Sequence, residues 1–296
     1  MNKKVVIFGG SGFLGSYLAD ELLRNNFNII IADTQKPKIN HPKQKFVKVN
    51  ILNLESIKSA IKGAEAVYNL ASLANLDDAA KDPLQTININ VMGNLNLLEA
   101  CRINGKIKRF IYASSAYALS NKGSFYGISK QLSEKLTIEY QDKFNLKYTI
   151  IRYGSVYGER AYQNNYIYQL LYHAIKYGEL CFKGDGEDSR EFIHASDVAK
   201  LSVKVLKDKK FENKNVILTG MEKIKRIELL NMINEIMQNK FKIKQIKKKS
   251  TGHYKTTPYS YQPELAKKIF NNSYIDLGQG LVQCIKKINH DINNEK

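Results

Sequence analysis

Short apolar runs alternate with segments of helical period through the first half of the chain. The runs are VVIF (5–8), NIIIAD (28–33), FVKVN (46–50), AVYNLA (66–71), RFIYAS (109–114) and YTIIRY (148–153). Between them, apolar positions recur with helical spacing near 13–25, 54–62, 83–104 and 126–144. Strands that read as near-continuous apolar runs are buried on both faces, and strand–helix alternation specifies a parallel sheet covered by helices. Right-handed crossovers then build a doubly wound, Rossmann-type α/β fold. After about residue 155 the pattern loosens. It predicts a helix near 164–178, a strand around 180–182, a helix from Ala195 and a strand at NVILT (215–219). An alternating lysine-rich strand, KFKIKQIKKKS (240–250), and a last helix from about Leu277 follow. The expected organisation is a dinucleotide-binding domain over 1–155 and a smaller α/β substrate lobe over 156–296. Segments near 192–220 return to the first domain.

Composition adds limits. The chain has 296 residues, 43% of them hydrophobic and 25% charged, as in a globular protein with a sizeable core. No apolar run approaches a bilayer span, and the start, MNKKVVIFGG, reads as a first strand rather than a signal peptide. Cys101, Cys181 and Cys284 are scattered, which suits a reducing cytoplasm and argues against a disulfide framework or structural zinc. The five histidines show no HExxH spacing, so no metal site is expected. Lys and Arg outnumber Asp and Glu by 46 to 28, a net charge of +18 that favours anionic partners. Lysine abounds throughout the chain, however, and the densest run reads as solvated strand positions, so charge alone assigns no nucleic-acid or membrane role.

Candidate chemistry begins at VVIFGGSGFLG. Gly9, Gly12 and Gly15 follow the first strand and open a helix, where glycine permits a tight turn and close backbone approach to a pyrophosphate. The helix N-terminus offers free N–H groups and the positive end of its dipole. Asp33 closes the second strand, where a carboxylate accepts hydrogen bonds from both ribose hydroxyls and repels a 2′-phosphate. That favours NAD; Lys36 nearby keeps NADP as the alternative. GGSGF is no nucleophile elbow, because Phe13 stands where GxSxG needs glycine.

The second signal is YASSAYALSNKGSFYGISK (112–130). Ser115 ends the fifth strand, at the carboxyl edge where open α/β sheets bind ligands. Tyr126 and Lys130 share one face of the next helix at i, i+4 spacing. A tyrosine of pKa near ~10 is a poor base at neutral pH, but an adjacent ammonium and an oxidised nicotinamide favour its phenolate. Tyr126 then takes a hydroxyl proton while hydride leaves the same carbon, with Ser115 hydrogen-bonded to the substrate oxygen.

These motifs, with YNLAS (68–72), NVMGNLNLLEA (90–100), RYGSVYGER (152–160) and GDGEDSREFIHASDVA (184–199), resemble the extended short-chain dehydrogenase/reductases. The likeness is to their nucleotide-sugar epimerase/dehydratase family and runs nearly end to end. It implies an NAD site formed by Gly9, Gly12, Phe13, Leu14, Gly15, Asp33, Asn50, Ile51, Leu70, Ala71, Asn90, Ala113, Tyr126, Lys130 and Tyr153. It implies a nucleoside-diphosphate-sugar site at Ser115, Ser155, Asn165, Phe182, Arg190 and Lys255, with Arg190 on the diphosphate. It also implies a homodimer formed through the helices after Asn90 and after Tyr126.

The departures from the family narrow the reaction. Dehydratases carry Asp-Glu after the serine or threonine; here stand Ala116 and Tyr117, which disfavours elimination, and the same argument weakens decarboxylation. The acidic residue after the third strand is replaced by Asn50 or Asn53. Ser155 stands for an asparagine before VYG, and Lys255 takes the place of a second arginine. The loop from Ser115 to Tyr126 is short. The reading is an NAD-dependent epimerase working through a transient keto-sugar. A keto-sugar reductase, and a non-catalytic RNA-binding or regulatory protein of the same fold, are the alternatives.

Overall fold

The computed structural model describes residues 4–246, 253–258 and 267–294. Its strands are β1 (Lys4–Phe8), β2 (Asn28–Asp33), β3 (Gln44–Lys48), β4 (Ala66–Asn69), β5 (Arg109–Ser115), β6 (Tyr148–Tyr153), β7 (Ser155–Tyr157), β8 (Glu179–Lys183), β9 (Ser189–His194), β10 (Lys214–Leu218), β11 (Lys223–Lys225), β12 (Lys242–Ile246) and β13 (Lys267–Lys268). Its helices are α1 (Phe13–Arg24), α2 (Leu54–Ala60), α3 (Leu76–Lys81), α4 (Pro83–Ile87), α5 (Gly93–Asn104), α6 (Ser124–Phe144), α7 (Tyr166–Tyr177), α8 (Ala195–Lys207), α9 (Arg226–Ile236) and α10 (Leu277–Asn294). A π-type turn (Asn88–Met92) joins α4 to α5, and a 3-10 turn (Ala116–Leu119) follows β5.

Eight strands form a parallel sheet in the order β13-β10-β6-β5-β4-β1-β2-β3. Its centre follows from side-chain alternation in β1. Val5 and Ile7 enter one core with Leu18 and Leu22 of α1 and Val198 and Leu201 of α8. Val6 and Phe8 enter the other, with Ile57 of α2 and Leu97 and Leu98 of α5. A strand buried on both faces has to be apolar at every position, as VVIF is. The doubly wound expectation therefore holds.

The remaining elements make a smaller cluster. β8 and β12 pair in parallel, and β11-β9-β7 form a three-stranded sheet. α7, α9 and α10 close a third core around Tyr157, Leu171, Leu180, Leu229 and Leu281. The lysine-rich strand is present as β12; residues 247–250 of that run lie outside the described residues. β3 begins and ends two residues earlier than its apolar pattern indicates. The helix read over 83–104 is α4, the π-type turn and α5 in succession, with Pro83 in the first turn and Asp82 accepting from Gln85 N. α3, β7, β9, β11, β13 and α9 have no counterpart in the sequence reading.

Candidate active site

The carboxyl ends of β1, β2 and β4 converge on the glycine turn. Gly9 sits at φ +76°, and a Cβ there would lie 2.5 Å from Ala71 N, so the turn and the loop after β4 touch backbone to backbone. A Cβ on Gly15 would lie 2.6 Å from Gly10 Cα, which lets α1 press directly on the turn. Gly12 caps α1 without a side-chain hydrogen bond, and the first turn holds no acidic residue. The helix N-terminus therefore keeps its free N–H groups and the positive end of its dipole, as an anion site requires. Asp33 accepts from Ser11 N at 3.0 Å and from Gln35 N at 3.2 Å, fixing its carboxylate beside the turn. Phe13 packs edge-on against Tyr17, and Leu14 lies against the first core. Leu70 N bonds Phe8 O, and Ile51 fills the space that Gly93 leaves by lacking a side chain. Asn50 Oδ1 is engaged by Leu52 N, and Asn53 caps α2, so each amide has a local task. The open cradle and the placed carboxylate together fit a dinucleotide.

Ser115, Tyr126 and Lys130 come together at the end of β5. The loop to α6 is compact because Gly123, at φ +93°, clears the Tyr117 ring; a Cβ there would sit 2.6 Å from Tyr117 Cδ1. Ser115 Oγ accepts from Tyr117 N at 3.3 Å, which turns its proton away from the 3-10 turn. Lys130 Nζ donates to Ala113 O at 2.8 Å and lies 5.5 Å from the Tyr126 ring centre. Asn90, on the π-type turn, accepts from Leu73 N at 2.8 Å and donates to Ser129 Oγ at 2.9 Å. It thereby pins the loop after β4 to α6.

The electrostatics of the chain alone are set by burial. Burial pushes the Tyr126 phenol up to about 12, and a hydrogen bond with Ser115 pulls it only partly back. Burial also pushes the Lys130 amine down to about 7, while Glu134 pulls it upward. Burial therefore outweighs the Ser115 hydrogen bond, and the chain by itself keeps Tyr126 protonated.

On the substrate side, Arg190 Nη1 donates to Ser189 O at 2.8 Å, and the guanidinium lies 4.3 Å from the Tyr254 ring centre. Its nearest carboxylate, Asp188, is 3.7 Å away. Tyr254 packs at a tilt against Tyr117, 4.7 Å between ring centres, and Tyr117 lies edge-on to Tyr126 at 6.1 Å. The Tyr117 hydroxyl meets His253 Nδ1 at 2.7 Å. Ser155, on β7, bonds Tyr254. His253 and Tyr254 thus lie beside the site, although the sequence pointed only to their neighbour Lys255. The Lys255 side chain is exposed and reaches Asp185 at 3.6 Å. Three further candidates are engaged elsewhere through their side chains. Asn165 caps α7 and donates to Val156 O, because the helix start needs an acceptor. Phe182 is buried in the third core, and the Tyr153 hydroxyl is spent on Ser202 of α8.

Residues 5–219 match the model of the NAD dependent epimerase/dehydratase family. The chain belongs to this family. A putative UDP-glucose 4-epimerase of Methanocaldococcus jannaschii is 30% identical over 224 residues, which is 68% of this chain and 73% of the relative. A UDP-N-acetyl-alpha-D-glucosaminuronate decarboxylase of Bacillus cytotoxicus is 28% identical over 271 residues, 82% of this chain and 83% of the relative. Among solved structures, UDP-glucuronic acid 4-epimerase from Bacillus cereus, crystallised with UDP-glucuronic acid and NAD, superposes with a TM-score of 0.85. It is 23% identical, covering 97% of this chain and 99% of that one. The expected family, and NAD as its cofactor, are thereby borne out.

Identity to both an epimerase and a decarboxylase leaves the choice of reaction to the residues themselves. In this member of the epimerase/dehydratase family, Ala116 is buried and Tyr117 presents a phenol bonded to His253. Neither position offers a carboxyl group.

Proposed function

We propose that this chain is an NAD-dependent nucleotide-sugar epimerase that inverts a hydroxyl-bearing carbon through a transient keto-sugar. The observation that carries the reading is the meeting of Ser115, Tyr126 and Lys130 at the end of β5, on the carboxyl edge of the sheet that also carries the glycine turn before α1. Gly9, Gly12, Gly15 and Asp33 would hold the dinucleotide, whose nicotinamide supplies hydride acceptance and return when bound. Ser115 hydrogen-bonds to the substrate hydroxyl, Tyr126 removes and restores its proton, and Lys130 supports the phenolate with its charge. Arg190 grips the diphosphate through its planar fork, with Tyr254 beneath it. The absence of carboxyl groups at 116 and 117 favours epimerisation over elimination or decarboxylation.

The named relatives act on UDP-sugars, so a uridine-diphosphate hexose is the first substrate to try. Residues 1–155 would hold the cofactor and 156–296 mainly the sugar nucleotide. Free cysteines at 101, 181 and 284 suit a reducing cytoplasm. A homodimer would use the exposed Met92, Ile128 and Leu132 around α5 and α6. Mass spectrometry of ligands surviving purification tests the reading. NAD with a sugar nucleotide supports it; NADP would overturn the role of Asp33, and neither ligand would count against an epimerase that retains its cofactor.

A further inference from the structure

One helical turn beyond Lys130, a buried ion pair lies against the site without touching it. Arg152 on β6 donates to Glu134 through Nε at 2.9 Å and Nη2 at 2.7 Å, and Ser114 Oγ donates to the same carboxylate at 2.5 Å. Both charged side chains are only 8% exposed. Such a pair seldom adds stability over apolar residues of similar volume, so its presence asks for another reason.

Lys130 supplies one. Its ammonium is buried, with Ala113 O as its hydrogen-bond partner, and a buried ammonium with no anion near it sheds its proton. The i, i+4 spacing puts Glu134 on the face of α6 that carries Lys130 and Tyr126. Ser114 joins this carboxylate to the strand positions immediately before Ser115. We propose that Glu134, clamped by Arg152 and Ser114, is a positioning residue that keeps Lys130 an ammonium beside Tyr126. This rests on the proposed role of Lys130 and deepens it.

The pull of Glu134 on Lys130 is upward, against the downward push of burial. The other titratable or charged groups around this stretch are Tyr126 on α6, Tyr112 on β5, whose ring centre is 5.1 Å from Nζ, and Arg152 on β6. The π-type turn and α5 present neutral amides, Asn90 and Asn94, to Ser129 and Ser133 of the same helix. Among these groups Glu134 supplies the negative charge. Arg152 holds that charge on the carboxylate by pairing with it through two hydrogen bonds.

NMR titration of isotope-labelled lysine in the purified protein provides the test, with the Lys130 signal assigned by its loss in Lys130→Met. Glu134→Gln is expected to titrate about one pH unit or more below the wild type. Glu134→Asp should stay close to the wild type. If Glu134→Gln, which keeps the shape of the side chain, leaves the titration in place, the proposal fails. Should Glu134→Gln not fold, the paired neutral variant Glu134→Gln, Arg152→Met replaces it, because it leaves no buried charge unpaired; it too should titrate below the wild type, and an unchanged titration overturns the proposal. The signal reports the lysine's proton whether or not a sugar nucleotide turns over. A protein that titrates as expected yet epimerises nothing would therefore sink only the epimerase reading.

Discussion

Lys130 shows how the site's chemistry is bound to the cost of building it. Its pKa falls from an ordinary 10.5 to about 7 because burial disfavours the charge. Between those values the unfolded chain binds more protons than the folded one, so this residue makes stability rise with pH across that window. Below about pH 7 the whole penalty of the buried ammonium is present. Lys130→Met should therefore melt higher than the wild type in acid-to-neutral buffer, with the difference shrinking as pH climbs from about 7 toward 10.5. Thermal midpoints across a pH series check this, and a difference independent of pH would contradict it. Ser115, Tyr126 and Lys130 were legible in the sequence because their spacing is local: a strand end, a turn and one helical face. His253 and Tyr254 were not, since they reach Tyr117 across more than a hundred residues and only tertiary packing decides that meeting. The bond of the Tyr153 hydroxyl to Ser202 was hidden for a related reason. Strand parity sends its side chain to the α8 face, and parity depends on a register that the apolar run YTIIRY does not reveal.

At the scale of the element, the strand–turn–helix unit of β1 and α1 separates glycine's structural uses from its functional one. Gly12 has φ −75° and ψ 179°, a conformation open to any residue, and a Cβ there would meet only Gly9 O at 3.3 Å. Gly15 has no such room. Gly12→Ala should keep its melting temperature while losing affinity for NAD, since the methyl stands at the mouth of the anion site. Gly15→Ala should lose both, by forcing α1 off the turn at a cost of about 1–3 kcal/mol. Calorimetric NAD binding and thermal melts of both variants decide between these outcomes; equal melting losses would contradict the assignment. The strands of the central sheet were readable because burial on both faces demands apolar residues. β9, sequence SREFIH, was hidden because its polar side chains are satisfied by distant partners. Glu191 pairs with Lys268 at 2.8 Å, and Arg190 lies over Tyr254. β7 and β13, of three and two residues, are too short to leave a periodic signal.

For the whole molecule, the outward faces of α5 and α6 carry the proposed contact between two copies. Ile128 is 49% exposed and Leu132 42% exposed, one turn apart on α6. Glutamate at both positions places like charges across a two-fold contact, where they repel. The double substitution Ile128→Glu, Leu132→Glu should convert a dimer to a monomer in light scattering while leaving the fold intact. A wild type that is already monomeric would remove the proposal. The central claim concerns chemistry, and a single assay addresses it most directly. The purified protein is given UDP-glucose, UDP-glucuronic acid and UDP-N-acetylglucosamine in turn, with catalytic NAD. Products are resolved by chromatography while nicotinamide absorbance is followed, and Tyr126→Phe serves as control, expected to be slower by about 10²–10⁴-fold. An epimeric sugar nucleotide formed with no net change in absorbance is the predicted result. Stoichiometric consumption of reduced cofactor, or turnover that survives the loss of the Tyr126 hydroxyl, would contradict it.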